Sequence, residues 1–133
     1  MLMPPVSRYM TDRPVTIPPT TTIADAHRAM RERKVRHLPV LSGSGTYGIV
    51  SERDLHLFES LNLGDSDRLS VGDVMIENPR EVTLSTPLDE VVRAMADDRF
   101  DAVVVKDRGA LVGIFTAVDA CYALAQVLRN ATA

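Results

Sequence analysis

Gly48-Ile49-Val50-Ser51-Glu52-Arg53-Asp54 returns 65 residues later as Gly113-Ile114-Phe115-Thr116-Ala117-Val118-Asp119. Each stretch has a glycine, two apolar residues, a hydroxyl residue, two variable residues and an aspartate. That order describes a strand running directly into a helix, with Ser or Thr at the N-cap and Asp three positions on. Working outward, the same shift superposes Met10 on Met75, Pro14 on Pro79, Met30 on Met95, Leu38 on Val103 and Val40 on Val105. Only Val15-Thr16-Ile17 and Val82-Thr83-Leu84 fall two residues out of step. Two copies at this period are too few and too long for a solenoid, and imply a pseudo-symmetric pair.

Each copy reads as β-α-β-β-α, an α+β architecture. Repeat 1 spans residues 6–61, a polar linker 62–70, and repeat 2 residues 71–129. In copy one, Val15-Thr16-Ile17 is a β-prone run and Thr22 opens a helix whose apolar face carries Ile23, Ala26 and Met30. Leu38 to Leu41 is a strand, with Pro39 near its start or at an edge. Ser42-Gly43-Ser44-Gly45 is a turn, and Tyr47 to Val50 is the returning strand. In copy two, Val82 to Leu84 is the first strand, and Thr86 caps a helix with Pro87 at its first position. The segments 103–105 and 111–115 form a hairpin around Asp107-Arg108-Gly109.

The final helix is apolar on nearly every face. Between Ala117 and Leu128 the clearly polar residues are Asp119 and Gln126. Such a helix is covered on more than one side. This predicts a homodimer through residues 117–128, closed by two-fold symmetry. Packing of an alanine-rich helix on its own sheet is the alternative.

Composition narrows the function classes. The chain has 133 residues, 45% hydrophobic and 25% charged, with net charge −3. No segment approaches the roughly 20 apolar residues that cross a bilayer, and the first residues lack a signal-peptide pattern. The single cysteine, Cys121, forms no intrachain disulfide, so a reducing cytoplasm is expected. The acidic balance argues against general nucleic-acid binding.

The repeated acid supports two readings. Ser or Thr at an N-cap with Asp three residues on satisfies helix N–H groups, and Thr22-Asp25 and Thr86-Asp89 have the same spacing. The other reading is a ligand site: free N–H groups at a helix start favour anions, and a carboxylate accepts both hydroxyls of a ribose.

These motifs, with Val35-Arg36-His37-Leu38-Pro39-Val40 and Val71-Gly72-Asp73-Val74-Met75, resemble a tandem pair of cystathionine-β-synthase-type (CBS) domains. The first half also resembles acetoin-utilisation-type regulatory proteins. The resemblance implies regulatory binding of adenosine compounds such as AMP, ADP, ATP or S-adenosylmethionine in clefts between repeats, with no cofactor required. It implies one cleft with Thr116 and Asp119 from one copy and Val15, Val35, Arg36 and His37 from the other. A second would combine Ser51, Arg53 and Asp54 with Val82, Phe100 and Asp101. Arg36-His37 faces Asp101-Ala102 at matching positions, so the Asp119 cleft is the expected phosphate-bearing site, with Arg53 the one cation offsetting Asp101 in the other. An effector protein is the implied recipient of the signal, and a constitutive dimerisation scaffold without nucleotide is the alternative.

Catalysis and metal binding find little support. Ser51 has no histidine beside it in sequence, and no phosphate-binding Gly-rich loop is present. His27, His37, His56 and Cys121 show no close ligand spacing along the chain, so no metal site is expected.

Overall fold

The computed structural model describes residues 2–43, 45–62 and 68–132. They form two compact units, Val15–Pro79 and Met1–Pro14 with Arg80–Ala133. The repeat boundaries and the units therefore differ. Residues 71–79, which open repeat 2, complete the first unit, and the N-terminal segment completes the second. Of the expected linker, residues 63–67 lie outside the described residues, as does Ser44 of the expected turn.

In the Val15–Pro79 unit, helix α1 (Ile23–Arg33) begins where the Thr22 hydroxyl accepts the Asp25 N–H at 3.1 Å. It ends at Lys34 in the left-handed region, φ 57°. Strands β2 (His37–Ser42) and β3 (Gly45–Ser51) are antiparallel, with a bulge between Val40 and Leu41. Helix α2 (Glu52–Asn62) follows β3 without a break. A short helix α3 (Val71–Val74), opened by the Ser70–Asp73 capping box, leads into β4 (Ile76–Glu77), which pairs antiparallel with β3. Ile23, Met30, Leu38, Val40, Val50 and Leu55 fill the core.

The other unit repeats this plan. A 3₁₀ turn (Val6–Arg8) precedes β1 (Thr11–Asp12). Strand β5 (Glu81–Thr83), helix α4 (Leu88–Asp98), the hairpin β6 (Ala102–Asp107) and β7 (Ala110–Thr116), and helix α5 (Ala117–Thr132) follow. The sheet order is β1-β7-β6-β5, with β5 parallel to β6. Leu88, Met95, Val103, Val105 and Phe115, each equivalent to a core residue of copy one, are buried here. The bulge recurs between Val105 and Lys106, and Arg99 (φ 59°) repeats Lys34.

Two local expectations are corrected. Val15-Thr16-Ile17 is not a strand; only Ile17 makes an isolated parallel bridge, to Val40. In copy two the Val104 N–H donates to the Arg80 carbonyl at 2.9 Å and extends the parallel ladder. Pro39 stands at the matching place and has no N–H to give. Thr86 does not cap α4: its hydroxyl accepts the Thr83 N–H at 3.0 Å, and Pro87 takes the N-cap place.

The repeated glycine has a steric cause. A Cβ on Gly48 would lie 2.7 Å from both the Ile76 carbonyl oxygen and Met75 Sδ. On Gly113 it would lie 2.5 Å from Met10 Sδ and 3.1 Å from the Thr11 carbonyl oxygen. The short edge strand crosses each glycine too closely for any side chain.

Candidate functional site

The two acids sit where a strand becomes a helix, and the backbone fixes both starts in the same way. The Glu52 N–H donates to the Arg36 carbonyl at 2.8 Å, and the Ala117 N–H to the Asp101 carbonyl at 2.9 Å. The Asp54 N–H then donates to Ser51 Oγ at 3.0 Å, and the Asp119 N–H to Thr116 Oγ1 at 3.3 Å. Two first-turn N–H groups in each copy are thus satisfied from within. Two of the N–H groups expected to be free at each helix start are therefore occupied.

Those carboxylates differ. Asp119 Oδ2 accepts the Thr116 N–H at 2.9 Å and the Thr116 hydroxyl at 3.2 Å. With the Asp119 N–H on Thr116 Oγ1, this completes a reciprocal capping box. The Thr11 hydroxyl adds a shared contact, 3.2 Å to Oδ1 and 3.3 Å to Oδ2. Among the described residues none donates to the Asp54 carboxylate. The residue equivalent to Thr11 is Ile76, more than half exposed and without a hydroxyl.

The units divide the expected site residues. Val15, Val35, Arg36, His37, Ser51, Arg53 and Asp54 belong to Val15–Pro79; Val82, Phe100, Asp101, Thr116 and Asp119 belong to the other unit. Arg36 and Arg53 are exposed, and His37 is half-buried at the start of β2. Val15, Val35, Val82 and Phe100 pack partly buried against the cores of their own units.

Sequence reading missed two neighbours of these residues. Thr11 is 108 residues from Asp119, and no local spacing links them. Arg80 lies over the Phe100 ring, 4.8 Å from its centroid, and is ion-paired to Asp98. Copy two therefore has a guanidinium on the Phe100 ring, with its charge matched by Asp98. A basic residue just after Asn78-Pro79 was the available signal. The histidines also cluster in space where they do not along the chain. His27 and His56 have ring centroids 4.7 Å apart, although the spacing of the histidines pointed to no such meeting.

Along α5, Ala123 is buried, while Val118, Tyr122, Leu124 and Leu128 are each more than half exposed within the single chain. No helix among the described residues is long and apolar enough to cross a membrane.

Comparisons with known proteins agree with this layout. A family model for the CBS domain matches residues 6–58 and again 71–126. The crystal structure of a putative acetoin utilization protein, AcuB, from Vibrio cholerae superposes over 100% of both chains with TM-score 0.91 at 27% identity. The structure of CBSX2 in complex with AMP aligns with TM-score 0.80 at 31% identity, over 93% of this chain and 98% of that one; CBSX2 is an Arabidopsis thaliana protein. An inosine-5'-monophosphate dehydrogenase of Korarchaeum cryptofilum is 32% identical over 109 residues, 81% of this chain but 22% of that protein. The chain thus spans about a fifth of the dehydrogenase's length.

Proposed function

The chain belongs to the CBS domain family, and from that premise we propose that it is a regulatory sensor of an adenosine-containing ligand, with no catalytic step of its own. The observation that carries the reading is the duplicated strand-to-helix acid, Asp54 and Asp119, each on a helix start that the backbone holds in the same way. A carboxylate so fixed suits a ribose diol, whose hydroxyls donate to it. AMP bound to CBSX2, a relative at 31% identity, supports the ligand class. AMP, ADP, ATP and S-adenosylmethionine are the candidates, as regulatory ligands rather than required cofactors.

In this reading Asp119 with Thr116 in one unit, and Asp54 with Ser51 in the other, take ribose hydroxyls. Arg36, His37 and Arg53 are the candidates for phosphate, and Val15, Val35, Val82 and Phe100 for apolar contact. Arg80 lies on Phe100, but its charge is already matched by Asp98, so it leaves the contrast between Arg36-His37 and Asp101-Ala102 in place. The signal passes to an effector protein in a reducing cytoplasm, where the exposed Cys121 stays a thiol. Ligand alters that partner's binding only through different affinity for two states of the sensor.

A thermal-shift screen with AMP, ADP, ATP and S-adenosylmethionine tests the reading. At least one compound should raise Tm in a concentration-dependent way. In calorimetry, Asp119→Ala should weaken that compound by about 10–100-fold, the worth of one charge-assisted hydrogen bond. No shift with any compound would overturn the sensor reading.

The exposed apolar residues of α5 favour a second reading, a constitutive homodimer through 117–128 that works without nucleotide. Both readings include the dimer, and a monomer by light scattering at micromolar concentration would remove it from both.

A further inference from the structure

We propose that His27, His56 and Glu59 form a binding site for a divalent transition-metal ion of the zinc class, bridging α1 and α2. The site lies wholly within the Val15–Pro79 unit and does not rest on the nucleotide reading. His56 and Glu59 are three residues apart on α2, so one face of that helix presents both. His27 meets them from α1: its Nδ1 lies 2.7 Å from Glu59 Oε1, and its side chain is 12% exposed. The two imidazole rings are tilted by 47°. One donor atom from each of the three residues lies within 4.8 Å of the others.

A metal ion at this place would take the His27 Nδ1 lone pair and a Glu59 oxygen, now 2.7 Å apart, as neighbouring donors, with the ion in place of a proton between them. The second imidazole, His56, is exposed, which leaves an ion a route in. Donors around a tetrahedral ion, each about 2.0–2.2 Å from it, lie roughly 3.4 Å apart. Closing the present cluster from 4.8 Å needs a shift of at most about 1.4 Å, and the exposed His56 has the rotamer freedom to supply it.

The donor set selects the ion. Two imidazoles and one carboxylate suit zinc and its neighbours, whereas calcium and magnesium favour all-oxygen shells. Three protein ligands leave a fourth position for water. An ion there ties α1 to α2 and stabilises the fold by mass action.

The test uses the full, tag-free chain stripped with chelator. Zinc chloride is titrated by calorimetry, Tm is followed with and without zinc, and cobalt(II) is added as a visible-absorption probe. One equivalent should bind, with a rise in Tm and a tetrahedral cobalt spectrum. His56→Ala leaves the His27–Glu59 pair in place and alters an exposed residue, so it should fold. It and Glu59→Gln should each weaken zinc by at least about tenfold, since even an outer partner of a metal ligand is worth 10–100-fold. Cys121→Ser should bind as the unaltered chain does. Failure of the unaltered chain to bind zinc, equal affinity in His56→Ala, or loss of binding in Cys121→Ser would each overturn the site. If Glu59→Gln does not fold, His56→Ala decides.

Discussion

Asp54 at the start of α2 and Asp119 at the start of α5 occupy equivalent places in equivalent strand-to-helix turns. Around Asp119 the carboxylate closes a capping box with Thr116 and takes the Thr11 hydroxyl as well. At Asp54 the cap is one-sided: Ser51 accepts the backbone N–H, and no described residue donates to the carboxylate. The difference originates outside the motif. Thr11 and Ile76 are matching positions on the two short edge strands, and only one has a hydroxyl. If the acids bind a ribose as proposed, a diol at Asp119 must displace or share Thr11's contacts, whereas one at Asp54 would meet an acid free of that competition.

Four sets of substitutions would break or sharpen this comparison, beginning with the largest effect. Phe115 is the largest fully buried side chain among the described residues, and its counterpart is Val50. Phe115→Ala should cost about 3–5 kcal/mol in urea unfolding, clearly more than Val50→Ala; equal losses would mean that the copies are packed alike.

Next come the crossing points. Gly48→Ala and Gly113→Ala should each cost about 1–3 kcal/mol through overpacking. Gly48→Ala should be the worse, because its clash includes the Ile76 backbone oxygen, while at Gly113 the contact below 3.0 Å is with the flexible Met10 side chain. Denaturation midpoints of the two variants decide the order.

The acids themselves should then separate. Asp119→Ala should destabilise the ligand-free protein by about 1–2 kcal/mol, the usual worth of a cap with its hydrogen bonds. Asp54→Ala should fall within about 0.5 kcal/mol of the unaltered chain. Thr11→Val should lie between them, and a Thr11→Val loss as large as that of Asp119→Ala would give Thr11 a packing role beyond its hydroxyl.

The smallest effect should come from Pro39→Val. It restores the N–H that Val104 supplies in copy two but gives up the stiffness of proline in the unfolded chain, terms of about 0.4–1 kcal/mol each that nearly cancel. Stability should hardly move, while hydrogen exchange should reveal a protected amide at position 39. An unprotected amide would show that something other than the missing donor keeps residues 15–17 from forming a strand.

What could be read from the sequence was local or duplicated. Both strand-to-helix acids, their hydroxyl caps, the hairpins and the core positions at 23, 30, 38 and 40 recur at one spacing, and each copy checks the other. What could not be read depends on distant partners. The lost strand at 15–17 follows from a proline more than twenty residues on. Thr86 looks like a cap until the turn back to Thr83 claims its hydroxyl. Thr11, Arg80 and the meeting of His27 with His56 arise only when separate elements pack, and no periodicity encodes them. The apolar character of α5 was legible, and with it the expectation that one chain leaves part of the helix uncovered.

The exchange of leading segments between repeats also has a consequence for how the chain is made. Synthesis proceeds from the N-terminus, so residues 15–79 emerge as one contiguous stretch that can close on itself. Residues 1–14 emerge before them yet find their sheet partner, β7, only when residues 110–116 have been added. Until then Val6 and Met10 lack the core that they pack into. Translation order thus lets residues 15–79 gather their contacts first, while the other unit waits for two distant segments to meet.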